Sequence, residues 1–124
     1  MGCTSLEAEL IKYMENSFLA TKVTFVNEYY DIVTRYGADW HRVREGWLLD
    51  GRIGRPHTTV FRDRRGYSGK CLPKDVQAIT RAAEEDLGYS ARLLKQVIDV
   101  NHRMNELNYE QWPQSRTEGE IGVA

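Results

Sequence analysis

Apolar residues recur at helical spacing along the first third of the chain, where they form two neighbouring stripes. The first stripe holds Ile11, Met14, Phe18, Phe25, Tyr29, Ile32 and Tyr36, and the second holds Leu19, Val23, Val26, Tyr30 and Val33. Thr4 and Glu7 have the spacing of a capping box, and neither proline nor glycine follows before Gly37. This pattern predicts one helix of about 32 residues, which is about 48 Å long at the standard rise.

The two stripes together cover roughly half of the surface of this helix. A single domain of this size would hardly cover so wide an apolar face, so we expect part of it to contact a second subunit. A long core helix within a monomer is the alternative interpretation.

Three shorter helices are predicted after Gly37. The second helix of the chain is capped by Asp39 and ends near Asp50 and Gly51. The third, residues 73–87, lies between Pro73 and Gly88, and the last lies between Ser90 and Pro113. The predicted fold class is therefore all-α, with a single helical domain over residues 1–112. Residues 113–124 have no periodicity and are expected to form a mobile tail.

One long irregular segment, residues 51–70, separates the second and third predicted helices. It contains Pro56 and several glycines, and its arginines are Arg52, Arg55, Arg62, Arg64 and Arg65. Long loops in compact domains are commonly functional. So many arginines would suit a phosphate-bearing ligand.

Composition excludes several classes of protein. The net charge is −1 with 28% charged residues, so we expect no nucleic-acid partner, and the segment RDRRG lacks interleaved aromatics. No apolar run is long enough for a membrane span, and two widely spaced cysteines fit a reducing, cytoplasmic location. His41, His57 and His102 do not have metal-ligand spacing with Cys71, so no metal site is expected.

The segment GYSGKCLPKD, residues 66–75, contains the residue best suited to chemistry. Cys71 lies between Lys70 and Lys74, just before the predicted helix that begins at Pro73. Unpaired amides at a helix N-terminus and nearby ammonium groups favour an anion, so the thiolate of Cys71 is favoured. This describes a nucleophile, and a small residue that fills a gap is the alternative.

Four segments of the chain occur in an order and spacing that resemble a known family. They are AELIKYMENSFLATKVTFVNE, LLDGRIG, GYSGKCLPKDVQAIT and VIDVNHR. They resemble the central helical domain of the UDP-glucose 6-dehydrogenases and their nucleotide-sugar relatives over residues 7–104. The C-x-P-K-D and D-x-R-I-G elements are the most specific part of this resemblance.

The resemblance implies a two-step oxidation of a sugar C6 alcohol to a carboxylate, with NAD as the hydride acceptor. It assigns Cys71 as the nucleophile that attacks the intermediate aldehyde, which suits a covalent route. Lys12 and Asn16, one turn apart on the long helix, match residues that contact the sugar and stabilise an oxyanion. Asp75 matches an aspartate that positions a water, and first-turn helix stabilisation is its alternative role.

The resemblance also implies ligand contacts. Arg52 matches an arginine that reaches the neighbouring subunit's substrate, with an intrachain salt bridge as the alternative. Gly66, Tyr67 and Ser68 match a turn whose backbone lies against the UDP-sugar. Lys74 and Cys71 match positions beside the cofactor. Three departures from the pattern concern the substrate: Ser68 replaces a glycine, Lys70 replaces a small or aromatic residue, and the loop 55–65 is longer and more basic.

Two functional hypotheses follow. In the first, the chain is the central dimerisation domain of a UDP-glucose 6-dehydrogenase, forms a homodimer through its long helix, and is inactive without a separate NAD-binding domain. No G-x-G-x-x-G motif occurs in the sequence. In the second, it is a stand-alone helical interaction protein of the same descent without catalysis.

Overall fold

The computed structural model describes residue 2 and residues 4–111, with side chains up to residue 108. Its four helices are α1, Ser5–Arg35, α2, Trp40–Leu48, α3, Cys71–Leu87, and α4, Arg92–Gln111. Within the described residues there is no strand, only an isolated bridge between Phe61 and Arg64. The all-α prediction is confirmed. The predicted tail, residues 113–124, lies outside the described residues.

The first helix begins and ends close to where the sequence predicts. The Thr4 hydroxyl accepts from the Glu7 amide at 3.1 Å, and the Glu7 carboxylate accepts from the Thr4 amide at 2.8 Å. These bonds hold the pKa of Glu7 below its ordinary value. α1 runs for 31 residues and ends before Gly37, whose φ of 76° suits glycine. None of the helices described in residues 4–111 is both long and apolar enough to cross a membrane.

The start of α3 differs from the prediction by two residues. Cys71 is the first residue of the helix rather than the residue before it, Lys70 takes the N-cap position, and Pro73 is the third helical residue. Every amide of the first turn lacks a helical partner, so proline fits at each of these positions and the sequence does not distinguish them. As a result, Asp75 lies beyond the first turn, and its predicted role in first-turn stabilisation is wrong.

The Ser90 side chain makes a different contact from the helix cap that the sequence predicts. α4 begins at Arg92, and the Ser90 hydroxyl accepts a hydrogen bond from the Lys95 ammonium at 2.9 Å. The backbone carbonyl of Ser90 accepts from the Arg92 amide at 2.9 Å. Ser90 therefore lies in the turn that leads from Gly88 into α4.

The core forms where α1 packs against α3 and α4. Its members are Ala20, Tyr67, Val76 and Val97, surrounded by Val23, Leu72, Leu94 and Ile98. The buried face of α1 is mostly small and polar, and it consists of Ser17, Ala20, Thr24, Val26, Asn27 and Val33. The Thr24 hydroxyl donates to the Ala20 carbonyl at 2.8 Å, so it is satisfied without a partner on another helix.

The two apolar stripes of α1 have different surroundings. Val26 and Val33 of the second stripe are buried, and its other members are half-buried. All seven residues of the first stripe are exposed, up to 76% for Met14 and 84% for Tyr36. The chain itself therefore leaves one long apolar face of α1 uncovered.

Candidate functional site

Three of the residues predicted to be catalytic lie together in the structure. The Asn16 side-chain amide donates to Asp75 Oδ2 at 2.6 Å, and Lys12 Nζ lies 3.9 Å from the same oxygen. Lys12 and Asn16 are one turn apart on α1, and the packing of α1 against α3 brings Asp75 to them. The structure thus forms the polar cluster Lys12–Asn16–Asp75 from two helices that are distant in sequence.

Cys71 lies one turn before Asp75 on α3, so the two side chains share one face of that helix. Its thiol is free and exposed. The other predicted site residue of this turn, Lys74, is also exposed. A small molecule can therefore reach the sulfur.

The polar cluster combines a buried carboxylate with donors that its contacts only partly use. Asp75 is only 2% exposed, whereas the Lys12 side chain is 63% exposed. Contact with Lys12 and Asn16 compensates the buried carboxylate. An ammonium has three donors, and the Asn16 amide has a second N–H, so both residues keep donors for a ligand oxygen.

The segment that leads to Cys71 is held by asparagine side chains of α4. Asn101 accepts from the Tyr67 amide at 2.7 Å and donates to the Tyr67 carbonyl at 3.0 Å. Asn108, two turns further on, makes the same pair of bonds with the backbone of Arg65, at 2.6 and 3.2 Å. The two asparagines thus pair with alternate residues, as a neighbouring strand would. The only sequence signal of this pairing is that two asparagines lie seven residues apart, on one face of a helix.

Gly66 lies between these two pairs, and its surroundings require glycine. Its amide donates to Asn27 Oδ1 at 3.1 Å, and its φ is 81°. A Cβ atom at this position would lie 2.4 Å from Asn101 Oδ1 and 3.0 Å from Met104 Cβ. The close approach that requires glycine here is therefore to α4, and contact of this backbone with a UDP-sugar stays a prediction.

Tyr67 contributes to the core more than its predicted contact with a ligand suggests. It is 5% exposed, and burial raises the pKa of its phenol to about 12. Both of its backbone polar groups are bonded to Asn101. Contact between its backbone and a UDP-sugar stays a prediction, and the half-buried Ser68 beside it lines an open cleft.

Arg52 is paired within its own chain. Its guanidinium donates to Asp50 at 2.7 Å and holds the pKa of that carboxyl below its ordinary value. The Arg52 side chain is nevertheless 89% exposed. The alternative of an intrachain ion pair is therefore observed, and contact with a neighbouring subunit's substrate stays a prediction.

The buried arginine of the loop was not anticipated from the sequence. Arg65 is 4% exposed, and its guanidinium donates to Asn27 Oδ1 at 2.9 Å and to Asp31 at 3.1 Å. Its Cζ atom also lies 4.8 Å from the centre of the Tyr30 ring. Arg65 therefore fastens the loop to α1 and is not available to a ligand.

Neither a metal nor a dinucleotide has a recognisable site in the part of the chain that the structure describes. No three His, Cys, Asp or Glu side chains lie close enough there to hold a metal ion. The same residues contain no strand, and so they lack the strand–turn–helix unit that typically binds NAD. The described residues therefore do not form an NAD site by themselves, and contact of Cys71 and Lys74 with the cofactor stays a prediction.

Comparison with known proteins gives consistent matches. The model of the UDP-glucose/GDP-mannose dehydrogenase family, central domain, matches residues 6–103. The UDP-glucose 6-dehydrogenase TuaD of Bacillus subtilis is 43% identical over 101 residues, which cover 81% of this chain and 21% of that protein. A UDP-glucose 6-dehydrogenase of Pseudomonas aeruginosa is 43% identical over 104 residues, which cover 84% of this chain and 22% of that protein.

An archaeal relative agrees with the bacterial ones. The UDP-glucose 6-dehydrogenase AglM of Haloferax volcanii is 42% identical over 95 residues, 77% of this chain and 21% of that protein. The chain thus spans about a fifth of the length of the curated relatives that it matches. It belongs to the UDP-glucose/GDP-mannose dehydrogenase family and corresponds to the central domain of that family.

Proposed function

We propose that this chain is the central helical domain of a UDP-glucose 6-dehydrogenase and supplies the cysteine nucleophile of that reaction. The observation that carries the proposal is the convergence of Lys12, Asn16 and Asp75 one helical turn from the exposed thiol of Cys71. A helix pair that served only to dimerise would have no need for a buried carboxylate in contact with an ammonium and an amide.

The chemistry of the chain's own residues follows from these contacts. The Cys71 thiolate attacks the carbon of a C6 aldehyde, a C–S bond forms, and the carbonyl electron pair moves to oxygen. The Lys12 ammonium and the second Asn16 N–H stabilise that oxyanion. After oxidation to a thioester, Asp75 orients the water that displaces the Cys71 thiolate. NAD supplies the hydride acceptor for the oxidations when it is bound, and the residues described here do not hold it.

In the experiment, residues 6–103 of this chain replace the matching segment of the Pseudomonas aeruginosa enzyme. NADH formation by this exchanged enzyme is then measured with UDP-glucose. We expect two NADH per substrate. Cys71→Ser should lower turnover at least about a thousand-fold, because the covalent route is lost. Asp75→Asn should lower it by about a hundred-fold or more, as for loss of a residue that activates water.

The matched control is Asp86→Asn, because Asp86 is an exposed aspartate on the same helix. It should leave NADH formation unchanged. If the exchanged enzyme folds and associates like its parent yet forms no NADH, the catalytic proposal is wrong. That result would favour the second function, a helical interaction protein, which the uncovered apolar stripe of α1 supports independently.

The proposal includes a homodimer formed through α1. The first stripe presents seven exposed apolar residues along one face of a 31-residue helix. Such a continuous apolar face is typical of an interface and unusual on a monomer. A second copy offers the same face, so a two-fold pair would cover the first stripe of each copy at once.

Phe18→Glu should disrupt this pair, because Phe18 is 63% exposed in the single chain and belongs to the N-terminal half of the stripe. Each of the two copies loses a buried phenyl ring at about 1.5–3 kcal/mol, so the dimer dissociation constant should rise by at least about 100-fold. Sedimentation velocity over a range of concentrations measures this change.

Leu87→Glu is the control for that substitution, since Leu87 is 78% exposed and lies on α3 rather than on the stripe. It should leave association unchanged. A wild-type chain that stays monomeric at high concentration would refute pairing through α1.

A further inference from the structure

The turn that follows α2, residues 50–54, is closed by bonds among its own residues. The Asp50 carbonyl accepts from the Ile53 amide at 3.0 Å, and the Asp50 carboxylate accepts from the Arg52 amide at 3.0 Å. These two bonds fix the backbone of Arg52, while its side chain stays 89% exposed. Because both bonds are internal, the direction in which the turn presents Arg52 depends on what attaches the turn to the helices.

Lys22 attaches this turn to α1. Its ammonium donates to the Ile53 carbonyl at 3.1 Å and to the Gly54 carbonyl at 3.0 Å, and the residue is half-buried. A single hydrogen bond restrains mainly a distance, whereas two bonds to neighbouring carbonyls also restrain orientation. Lys22 therefore fixes both the position and the orientation of the part of the turn that directly follows Arg52.

Lys22 lies at the border between the two apolar stripes of α1. It follows Phe18 by four residues and precedes Phe25 by three, so it fills the gap between these two members of the uncovered first stripe. Val26, four residues after Lys22, is a buried member of the second stripe. A lysine beside an apolar face usually extends its ammonium into water, but here the ammonium is directed at the turn. The turn and Arg52 therefore lie beside the face that a second copy would cover.

We propose that Lys22 is a positioning residue, which holds the turn 50–54 so that Arg52 can reach a sugar nucleotide bound by the second copy of a pair. The inference rests on the proposed function and on the contact predicted for Arg52, and it assigns Lys22 no ligand contact of its own. A guanidinium pairs with anionic oxygens through two parallel bonds, so its binding depends on orientation. A backbone that is already fixed has less freedom to lose when the ligand replaces Asp50 as the partner of Arg52.

Amide hydrogen exchange of the 124-residue chain, followed by NMR, tests whether Lys22 holds the turn. Lys22→Met keeps the length of the side chain but removes its donors. It should speed exchange of the Arg52 and Ile53 amides about tenfold or more and leave the core amides of α3 and α4 unchanged. Lys22→Arg should keep exchange slow, because a guanidinium can donate to both carbonyls. If Lys22→Met leaves exchange in the turn unchanged, the proposal is overturned.

Binding of UDP-glucose to the exchanged enzyme tests the consequence for the ligand. Calorimetry without NAD measures the dissociation constant in the absence of turnover. Arg52→Gln should raise this constant about tenfold or more, since a charge-assisted contact is lost. Lys22→Met should raise it about three- to tenfold, because Arg52 remains but is held less firmly. In both variants kcat at saturating UDP-glucose should change less than about twofold, and Lys22→Arg should restore the affinity.

The double variant Lys22→Met with Arg52→Gln identifies the route of the effect. It should bind UDP-glucose no more weakly than Arg52→Gln alone, because Lys22 acts through Arg52. Additive losses would mean that Lys22 affects binding elsewhere. An unchanged dissociation constant in Lys22→Met would mean that Arg52 needs no such positioning. Either result overturns the proposal.

Lys95→Met is the matched control, because Lys95 also attaches a turn through its ammonium. It donates to Glu84 and to Ser90 Oγ, at the turn between α3 and α4. Lys95→Met should leave both the dissociation constant for UDP-glucose and exchange in the turn 50–54 unchanged. An equal loss of UDP-glucose binding in Lys95→Met would show a general effect of removing a lysine and would also overturn the proposal.

Failure of this proposal is distinguishable from failure of the proposed function. An exchanged enzyme with Cys71-dependent NADH formation, whose affinity for UDP-glucose does not depend on Lys22, would reject only the role of Lys22. Binding of UDP-glucose that depends on Lys22 and Arg52, in an enzyme without Cys71-dependent NADH formation, would reject only the catalytic proposal. An exchanged enzyme that binds no UDP-glucose would reject both.

Discussion

Replacing Gly66 with alanine is expected to destabilise the fold by about 2–5 kcal/mol, the sum of two separate costs. Its φ of 81° costs a residue with a side chain about 1–2 kcal/mol. The added Cβ atom would lie 2.4 Å from Asn101 Oδ1, so the bonds between Asn101 and Tyr67 must break or shift. Disrupting buried hydrogen bonds costs about 1–3 kcal/mol more.

Urea unfolding followed by circular dichroism measures this loss, and Gly88→Ala separates the two costs. Gly88 also has a positive φ, 61°, but no atom lies within 4 Å of a Cβ atom built there. Gly88→Ala should therefore cost only about 1–2 kcal/mol. Equal losses for the two variants would mean that the contact with Asn101 does not exist in solution.

The second large effect is expected for Arg65→Met, which should destabilise the fold by about 3 kcal/mol. The Arg65 side chain is 5% exposed, and methionine fills much of its volume without its donors. The substitution leaves the Asp31 carboxylate, 22% exposed, without its partner and removes the contact with the Tyr30 ring. An uncompensated, partly buried charge is the main cost.

The control is Arg55→Met in the same loop. The Arg55 side chain is 60% exposed in its pair with Glu45, and exposed pairs contribute about 0–1 kcal/mol. The double variant Arg65→Met with Asp31→Asn should recover part of the loss, because it removes the unpaired charge. If Arg65→Met and Arg55→Met cost the same in thermal or urea unfolding, the loop is not fastened through Arg65.

Local features of the fold could be predicted because the residues that determine them are neighbours in sequence. The capping box of Thr4 and Glu7, the cap of α2 at Asp39, and the end of α3 at Gly88 depend only on a few adjacent residues. The start of α3 was misplaced because proline is tolerated throughout a first turn.

The site required more than local reasoning. The spacing of Lys12 and Asn16 places them on one face of α1, but nothing in that spacing identifies Asp75 as their partner. Only the resemblance named the three together; the structure shows that their side chains are in contact, and their catalytic roles stay a prediction. The backbone pairing by Asn101 and Asn108 was missed, because an asparagine on a helix indicates neither burial nor partner.

Charge and size were also misleading guides to burial. Five arginines in one loop suggested a phosphate-bearing ligand, yet Arg65 is among the most buried of the described residues. In α1, large apolar side chains face outward, while Ser17, Ala20 and Thr24 form part of its packed face. Small residues let helices approach closely, and their burial cannot be read from hydrophobicity.

The uncovered stripe and the polar cluster share a single rigid element. Met14 and Phe18 of the stripe alternate along α1 with Lys12 and Asn16. Any partner that shifts or rotates this helix by a fraction of a turn also moves the ammonium and the amide relative to α3. In the proposed homodimer, association through the stripe would therefore be coupled to the reactivity of Cys71, and dilution of the protein would change the surroundings of the thiol.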